Sequence, residues 1–353
     1  MGMGDFTRAV VFYTDCVRDR PPHPSLGALL VMRLLFSLLL CLALPALAKA
    51  ADPVLFRPLQ LDTGSGVLKG SLILPRSERP QPVVLFVSGS GPLDRNGNAP
   101  GARNAALQRL AEALGKRRIA SVRFDKRGVA ESRSAEPDES HLSVERYVDD
   151  LVGWIRLLRA DPRFSEVILL GHSEGALIAS LAADRVPVAG VVTLAGSGRP
   201  IDVVLREQLA GKLSPAALAS AQWIIDQLLR GTPVPEVPKE LLVLFRPSVQ
   251  PYLISLFRQD PAKAFAGIQA PALIIQGTHD VQVEVDDARA LHRAKPDAEL
   301  AIIPGMNHVL RIAPADFQAQ LPTYDNPNLP LARELIERVA AFVQRSGSPH
   351  TGR

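Results

Sequence analysis

The strongest chemical signal in the chain is a serine held between two glycines, in the stretch ILLGHSEGALIAS at residues 168–180. An apolar run typical of a buried strand ends here, and a run of small residues typical of a helix begins. A sharp strand-to-helix turn strains the backbone of its central residue, and flanking glycines remove the Cβ atoms that would collide. We therefore expect Ser173 to stand at this turn with its hydroxyl exposed as a nucleophile.

A serine hydroxyl is barely ionised at neutral pH, so it needs a histidine as base and a carboxylate to orient that histidine. His308 follows the predicted strand AELAIIPG, and Asp280 ends the predicted strand ALIIQGTHD, 28 residues earlier. The order serine, aspartate, histidine is the one used by sheets with this type of turn. His279 is a rival base, but it should point to the opposite side from Asp280. His172 should point away from Ser173.

Acyl transfer also needs N–H donors for the oxyanion of the tetrahedral intermediate. The backbone N–H of Glu174 is one candidate, and the glycine-rich loop SGSGP supplies the other, with Ser90 as the expected donor and Gly89 as the alternative. The Glu174 carboxylate would oppose the developing negative charge unless it is turned away or paired. Arg95 and Arg127 are the candidate partners for this carboxylate.

The elements that must position these residues alternate along the chain. VLFRPLQL and GVLKGSLILP flank the turn DTGSG and predict an antiparallel hairpin at a sheet edge. Apolar strands and amphipathic helices then alternate with no internal repeat. This order predicts an α/β fold with a mostly parallel central sheet flanked by helices. Ligands bind at the carboxyl ends of the strands in such sheets.

One segment, residues 197–266, breaks the alternation. It is rich in helix signals, such as Ser214 before Pro215 and Asp260 before Pro261. We interpret it as a helical cap insertion that divides the α/β core into residues 51–196 and 267–353. Its apolar residues should form a small core, and some should face a cavity above the sheet: Trp223, Ile224, Leu228, Leu241, Leu244, Phe245, Leu253 and Phe257.

The N-terminal 50 residues are predicted to be an upstream extension followed by a signal peptide. Met32 and Arg33 precede an apolar run and the site Ala48-Lys49-Ala50, so cleavage is expected before Ala51. The alternative, a retained anchor, is disfavoured because the apolar run is shorter than the ~20 residues that a spanning helix needs. The mature protein is thus expected to be periplasmic or secreted, without stable membrane insertion.

Composition excludes several other classes of function. Both cysteines, Cys16 and Cys41, fall in the predicted signal segment, so the mature chain would have no disulfide and no cysteine-ligated metal. A formal net charge of +4 with no basic cluster gives no indication of nucleic-acid binding. The histidines and carboxylates lack metal-ligand spacing. We therefore expect no metal or cofactor, and the sequence does not indicate an oligomeric state.

Five stretches together resemble the α/β-hydrolase superfamily, in an exported, carboxylesterase-like branch that is similar to dienelactone hydrolases and serine aminopeptidase-like hydrolases. They lie between about residues 83 and 308 and read SGSGPLDRNGN, RFDKRGVAES, GHSEGALIA, DPAKAFAGIQAPALIIQGTHDVQV and GMNHVL. The resemblance implies a catalytic triad of Ser173, Asp280 and His308, with SGSGP as the oxyanion loop. Ser88 stands where many relatives have a histidine, so the group that anchors this loop is not identified.

The resulting expectation is a serine hydrolase that cleaves small-molecule carboxylic esters through an acyl-enzyme. A peptidase, an aminopeptidase or a thioesterase could use the same three residues. An aminopeptidase would need an acidic group in the cap to bind the substrate ammonium, and the candidates are Glu207, Asp226, Glu236 and Glu240. A non-enzymatic alternative is a binding protein on a hydrolase scaffold.

Overall fold

The computed structural model describes residues 54–347. The predicted signal peptide and both cysteines lie outside these residues, so export stays a prediction. Eight strands form one sheet in the order β1-β2-β4-β3-β5-β6-β7-β8. They are β1 (Val54–Asp62), β2 (Val67–Pro75), β3 (Gln81–Val87), β4 (Ala120–Phe124), β5 (Phe164–His172), β6 (Gly190–Leu194), β7 (Ala272–Gly277) and β8 (Glu299–Ile303).

Strand direction confirms the predicted hairpin and the predicted parallel sheet. β1 pairs with β2 in antiparallel register from Val54 opposite Pro75 to Asp62 opposite Val67. β2 is also antiparallel to β4, whereas β3 to β8 pair in parallel. The carboxyl ends of β3 to β8 therefore meet at one edge of the sheet, where the loops that follow them lie close together.

Helices cover both faces of this sheet. In chain order they are α1 (Ala106–Gly115), α2 (Val144–Arg159), α3 (Glu174–Arg185), α4 (Ile201–Leu209), α5 (Pro215–Leu229), α6 (Leu242–Phe245), α7 (Gln250–Phe257), α8 (Pro261–Ala266), α9 (Val285–Ala294), α10 (Phe317–Tyr324) and α11 (Arg333–Ser346). Successive side chains of a strand point to opposite faces. Leu85 thus packs with residues of α2 and α3, while its neighbour Phe86 packs with residues of α1 and α11.

Side-chain caps explain where three of the helices begin. Ser143 Oγ accepts a hydrogen bond from the N–H of Arg146 at the start of α2. Ser214 and Asp260 cap α5 and α8 in the same way. Helix α10 was not expected, because Pro322 lies inside it and proline normally ends a helix.

The segment between β6 and β7, which we call the β6–β7 segment, contains α4 to α8 and has an apolar cluster of its own. Five of the eight apolar residues expected to form a local core are buried in it: Ile224, Leu228, Leu241, Phe245 and Phe257. Leu253 packs against this cluster, whereas Trp223 is 54% exposed and Leu244 is 39% exposed. The expectation of a local core is therefore confirmed for most, but not all, of these residues.

Within residues 54–347, no helix has both the length and the apolar character needed to cross a lipid bilayer. The same residues contain no group of three or more histidine, cysteine, aspartate or glutamate side chains arranged to hold a metal ion.

Candidate active site

Ser173 occupies the turn between β5 and α3, as the sequence predicts. Its backbone has φ 55° and ψ −123°, a strained combination for a residue with a side chain. A Cβ added to Gly171 would lie 2.2 Å from the carbonyl oxygen of Gly175, and one added to Gly175 would lie 2.3 Å from that of Val87. Both glycines are therefore required for the turn to pack against β3 and hold the serine at the sheet edge.

His308 and Asp280 form a hydrogen-bonded pair. His308 Nδ1 lies 2.8 Å from Asp280 Oδ2. Because an ionised carboxylate only accepts hydrogen bonds, Nδ1 is the donor in this pair, and Nε2 of a neutral imidazole is left with a free lone pair. This is the tautomer that a general base requires.

Further hydrogen bonds fix the Asp280 carboxylate. Its Oδ1 accepts from the backbone N–H groups of Gln282 at 2.8 Å and Val283 at 3.0 Å, and its Oδ2 accepts from Gln276 Nε2 at 3.1 Å. Burial by itself raises the pKa of Asp280, but the charge and hydrogen bond of His308 and the two N–H groups bring that pKa below its ordinary value. The carboxylate is therefore ionised at neutral pH.

His172 contacts His308 directly, a contact that sequence reasoning missed. The two rings are 4.9 Å apart between centroids, and His172 Nε2 donates to the backbone oxygen of His308 at 2.9 Å. Burial, together with the charge of His308, lowers the pKa of His172 to about 4. His172 is thus neutral at pH 7 and links the turn that carries Ser173 to the loop that carries His308.

Within residues 54–347, no hydrogen bond joins Ser173 Oγ to His308. Ser173 directly follows His172, and His172 Nε2 donates to the backbone oxygen of His308. His279 Nδ1 donates to the backbone oxygen of Ala313 at 2.6 Å, and no hydrogen bond joins its ring to Ser173 or Asp280 among residues 54–347.

The loop after β3 lies against the serine. A Cβ added to Gly89 would come within 3.1 Å of Ser173 Cβ. Lys126, in the loop after β4, donates a hydrogen bond from Nζ to the backbone oxygen of Gly89. Among residues 54–347, no group accepts a hydrogen bond from the backbone N–H of Ser90 or of Glu174. Both N–H groups are therefore available to bind an oxyanion.

The predicted partners of Glu174 were wrong. Arg95 forms ion pairs with Asp125 at 2.8 Å and Glu131 at 2.5 Å. Arg127 instead pairs with Asp150 on α2. The cation that faces Glu174 is Lys126, with Nζ 3.9 Å from Oε1.

A cavity of about 870 Å³ opens above Ser173, and Ser90 and Glu174 also line it. Much of its wall is apolar and comes from the β6–β7 segment: Val204, Leu205, Leu244, Leu253, Leu256 and Phe257. Arg246 and Glu139, which also line the cavity, form an ion pair at 2.5 Å, and Arg133 adds a further charge to the lining. The apolar part of the wall suits a ligand with an apolar body.

The acidic residues proposed for an aminopeptidase do not line this cavity. Glu207 pairs with Arg199 at 2.9 Å, and Asp226 pairs with Arg206 at 2.6 Å. Glu236 and Glu240 are likewise absent from its described lining. The candidate ammonium site is therefore not formed by any of the four residues.

Comparisons with known proteins give one family and several relatives. Residues 84–320 match the model of a family described as the alpha/beta hydrolase family. The chain is 29% identical over 247 residues to Esterase EstD of Thermotoga maritima, and the match covers 69% of this chain but only 58% of EstD.

Two solved structures share the fold at low sequence identity. Est1E from Butyrivibrio proteoclasticus, solved with ferulic acid bound, has a TM-score of 0.55 at 15% identity and is matched over 81% of this chain and 99% of its own. Proline iminopeptidase from Mycobacterium smegmatis has a TM-score of 0.54 at 14% identity, over 82% of this chain and 98% of its own. These likenesses show the fold.

Proposed function

Because the chain belongs to the alpha/beta hydrolase family, we propose that it is a serine hydrolase that cleaves neutral carboxylic esters through an acyl-enzyme intermediate. The observation that carries the proposal is the His308–Asp280 pair, linked through His172 to the strained turn at Ser173. The esterase relative supports ester substrates.

The proposed reaction begins when Ser173 Oγ attacks the ester carbonyl and its proton passes to His308 Nε2. Asp280 stabilises the imidazolium, and the N–H groups of Ser90 and Glu174 hold the oxyanion. Collapse of the tetrahedral intermediate breaks the C–O bond, and the alcohol leaves with the proton from His308. Catalytic hydrogen bonds commonly shorten in the substrate complex, which is where we place the Ser173–His308 contact.

Hydrolysis of the acyl-enzyme completes the cycle. Water attacks the acyl carbonyl while His308 takes its proton, and collapse returns that proton to Ser173 Oγ and releases the acid. In this proposal the β6–β7 segment acts as the cap that binds the acyl or alcohol group. The apolar wall that it gives to the cavity favours substrates with an apolar acyl or alcohol group.

The test compares the wild type with Ser173→Ala on p-nitrophenyl acyl esters, acyl thioesters and amino-acid amides. Ser180→Ala is the matched control, because Ser180 lies on α3 and its hydroxyl only donates to the backbone oxygen of Ala176. We expect Ser173→Ala to lower kcat on esters by about 10⁶-fold, because serine and histidine act as a unit. Wild-type turnover in Ser173→Ala would overturn the proposal, and a preference for amides would favour a peptidase.

A further inference from the structure

Lys126 is a buried cation that the reaction described above does not use. Its side chain lies in the loop after β4 and the residue is 2% exposed. Nζ donates to the backbone oxygen of Gly89, lies 3.9 Å from Glu174 Oε1 and stands 5.3 Å from the centre of the Tyr147 ring. Burial lowers the pKa of Lys126, because burial of an ammonium is costly unless its partners compensate, whereas the charge of Glu174 raises that pKa. All three contacts are with groups beside the predicted oxyanion hole or in the wall of the cavity.

The bond from Lys126 constrains the predicted oxyanion donor through one peptide unit. The carbonyl of Gly89 and the N–H of Ser90 belong to the same peptide group, which is planar and trans, so they point in opposite directions. An ammonium that holds the Gly89 oxygen therefore fixes the direction of the Ser90 N–H. The Gly89 backbone packs beside Ser173, so this direction is fixed next to the reacting serine.

Lys126 also faces the other predicted donor, which is the backbone N–H of Glu174. The Glu174 side chain is 4% exposed, and in a poorly hydrated site its negative charge would oppose an oxyanion held at its own N–H. The ammonium 3.9 Å away offsets that charge. One cation thus contacts the peptide that carries the first donor and the side chain of the residue that carries the second.

From these contacts we infer that Lys126 is the positioning residue of the oxyanion hole. It anchors the loop after β3 at Gly89 and offsets the charge of Glu174. The inference rests on the proposed function. It deepens that function by naming a residue that acts on the transition state without touching the substrate.

The experiment measures ester hydrolysis by Lys126→Met, which removes both the anchor and the charge. Loss of a correctly placed oxyanion donor lowers kcat by about 10²–10³-fold, and partial misplacement should cost about 10–100-fold. We expect kcat to fall in that range while KM changes by less than about threefold. Binding of a trifluoromethyl ketone transition-state analogue should weaken by the same factor as kcat, and binding of the product acid should not change.

Two further variants separate the anchor from the charge. Lys126→Gln can still donate to Gly89 but carries no charge, so its kcat should lie between those of the wild type and Lys126→Met. In Lys126→Met/Glu174→Gln the opposing carboxylate is gone, and we expect this double variant to regain about tenfold of the lost kcat, but not wild-type activity. Lys126→Gln keeps the inference testable if Lys126→Met does not fold, which thermal unfolding would show.

Lys295→Met is the matched control, because Lys295 is also buried and pairs with Asp297 at 2.9 Å after α9. Its kcat should equal that of the wild type. Wild-type kcat in Lys126→Met, or equal weakening of the transition-state analogue and the product acid, would overturn the inference and leave the proposed function standing. A wild-type protein without serine-dependent esterase activity would overturn both.

Discussion

The loops at the carboxyl edge of the sheet and the β6–β7 segment build the same cavity by different means. In the loops, polar groups are fixed by directed bonds, and the buried Asp280 carboxylate alone accepts four of them. In the β6–β7 segment the interior is apolar, and ion pairs such as Arg206–Asp226 lie at the surface. This segment also leaves apolar side chains exposed, with Val243 81% exposed.

This difference indicates a division of roles. Hydrogen bonds with defined angles hold groups where a reaction needs them, whereas apolar packing is non-directional and accepts changes of shape more easily. We therefore expect substitutions in the loops to change the rate of the chemical step. Substitutions in the β6–β7 segment should change which ester is accepted.

We expect the largest effect on kcat for Asp280→Asn in the loops, and we compare it with Asp226→Asn in the β6–β7 segment. An asparagine at position 280 can present its NH₂ group to His308 Nδ1, which favours the tautomer that carries its proton on Nε2 and cannot act as base. We expect kcat on p-nitrophenyl esters to fall by about 10⁴-fold in Asp280→Asn and by less than twofold in Asp226→Asn. Similar kcat values for the two variants would contradict the division of roles.

The next effect is a change in stability with pH, and it tests the contact between His172 and His308. Unfolded His172 binds a proton below about pH 6.5, whereas the folded chain binds it only below about pH 4. The unfolded state therefore carries more protons between these values, and the free energy of unfolding should decrease by up to about 3 kcal/mol as the pH falls through this window. Urea unfolding of the wild type and His172→Asn at pH 7 and pH 4 measures this decrease.

We expect His172→Asn to be less stable at pH 7, because it loses the contact with the His308 ring, but to lose less stability on acidification than the wild type. His141→Asn is the control, since the His141 side chain is 61% exposed. An equal loss between pH 7 and pH 4 in the wild type and in His172→Asn would show that His172 is not the group responsible.

The sequence predicted the elements well because apolar periodicity and capping residues are local signals. The hairpin of β1 and β2, the parallel strands and the caps at Ser214 and Asp260 all follow from neighbours a few residues apart. Helix α10 was missed because its local signal, Pro322, argues against a helix.

Contacts between distant parts of the chain were not predictable in the same way. His172 and His308 are 136 residues apart, and no local pattern pairs them. The partners of Glu174 were wrong because neighbouring residues of a loop point in different directions. Arg127 turns to Asp150, and the adjacent Lys126 turns to Glu174. The direction of a loop side chain depends on tertiary packing. The sequence therefore identified the loop that supplies the cation facing Glu174, but not that the cation is Lys126.

We expect the smallest effect, a change in ester preference, for Leu244→Ala, and we compare it with Trp223→Ala in the same segment. Leu244 lines the cavity, whereas Trp223 is 54% exposed and absent from its described lining. Removing methyl and methylene groups from a binding pocket changes substrate discrimination by about 10-fold or more. We expect Leu244→Ala to shift the ratio of kcat/KM between p-nitrophenyl acetate and p-nitrophenyl octanoate by about tenfold.

Trp223→Ala should leave that ratio unchanged, because its side chain lies outside the cavity. Neither variant should lower kcat for the better ester by more than about twofold, since the groups that carry the chemistry lie in the loops of the sheet. A large fall in kcat for both esters in Leu244→Ala would mean that the β6–β7 segment also positions the catalytic groups. The chemical step and the choice of ester would then depend on the same residues, because movement of the segment would displace the loops that it covers.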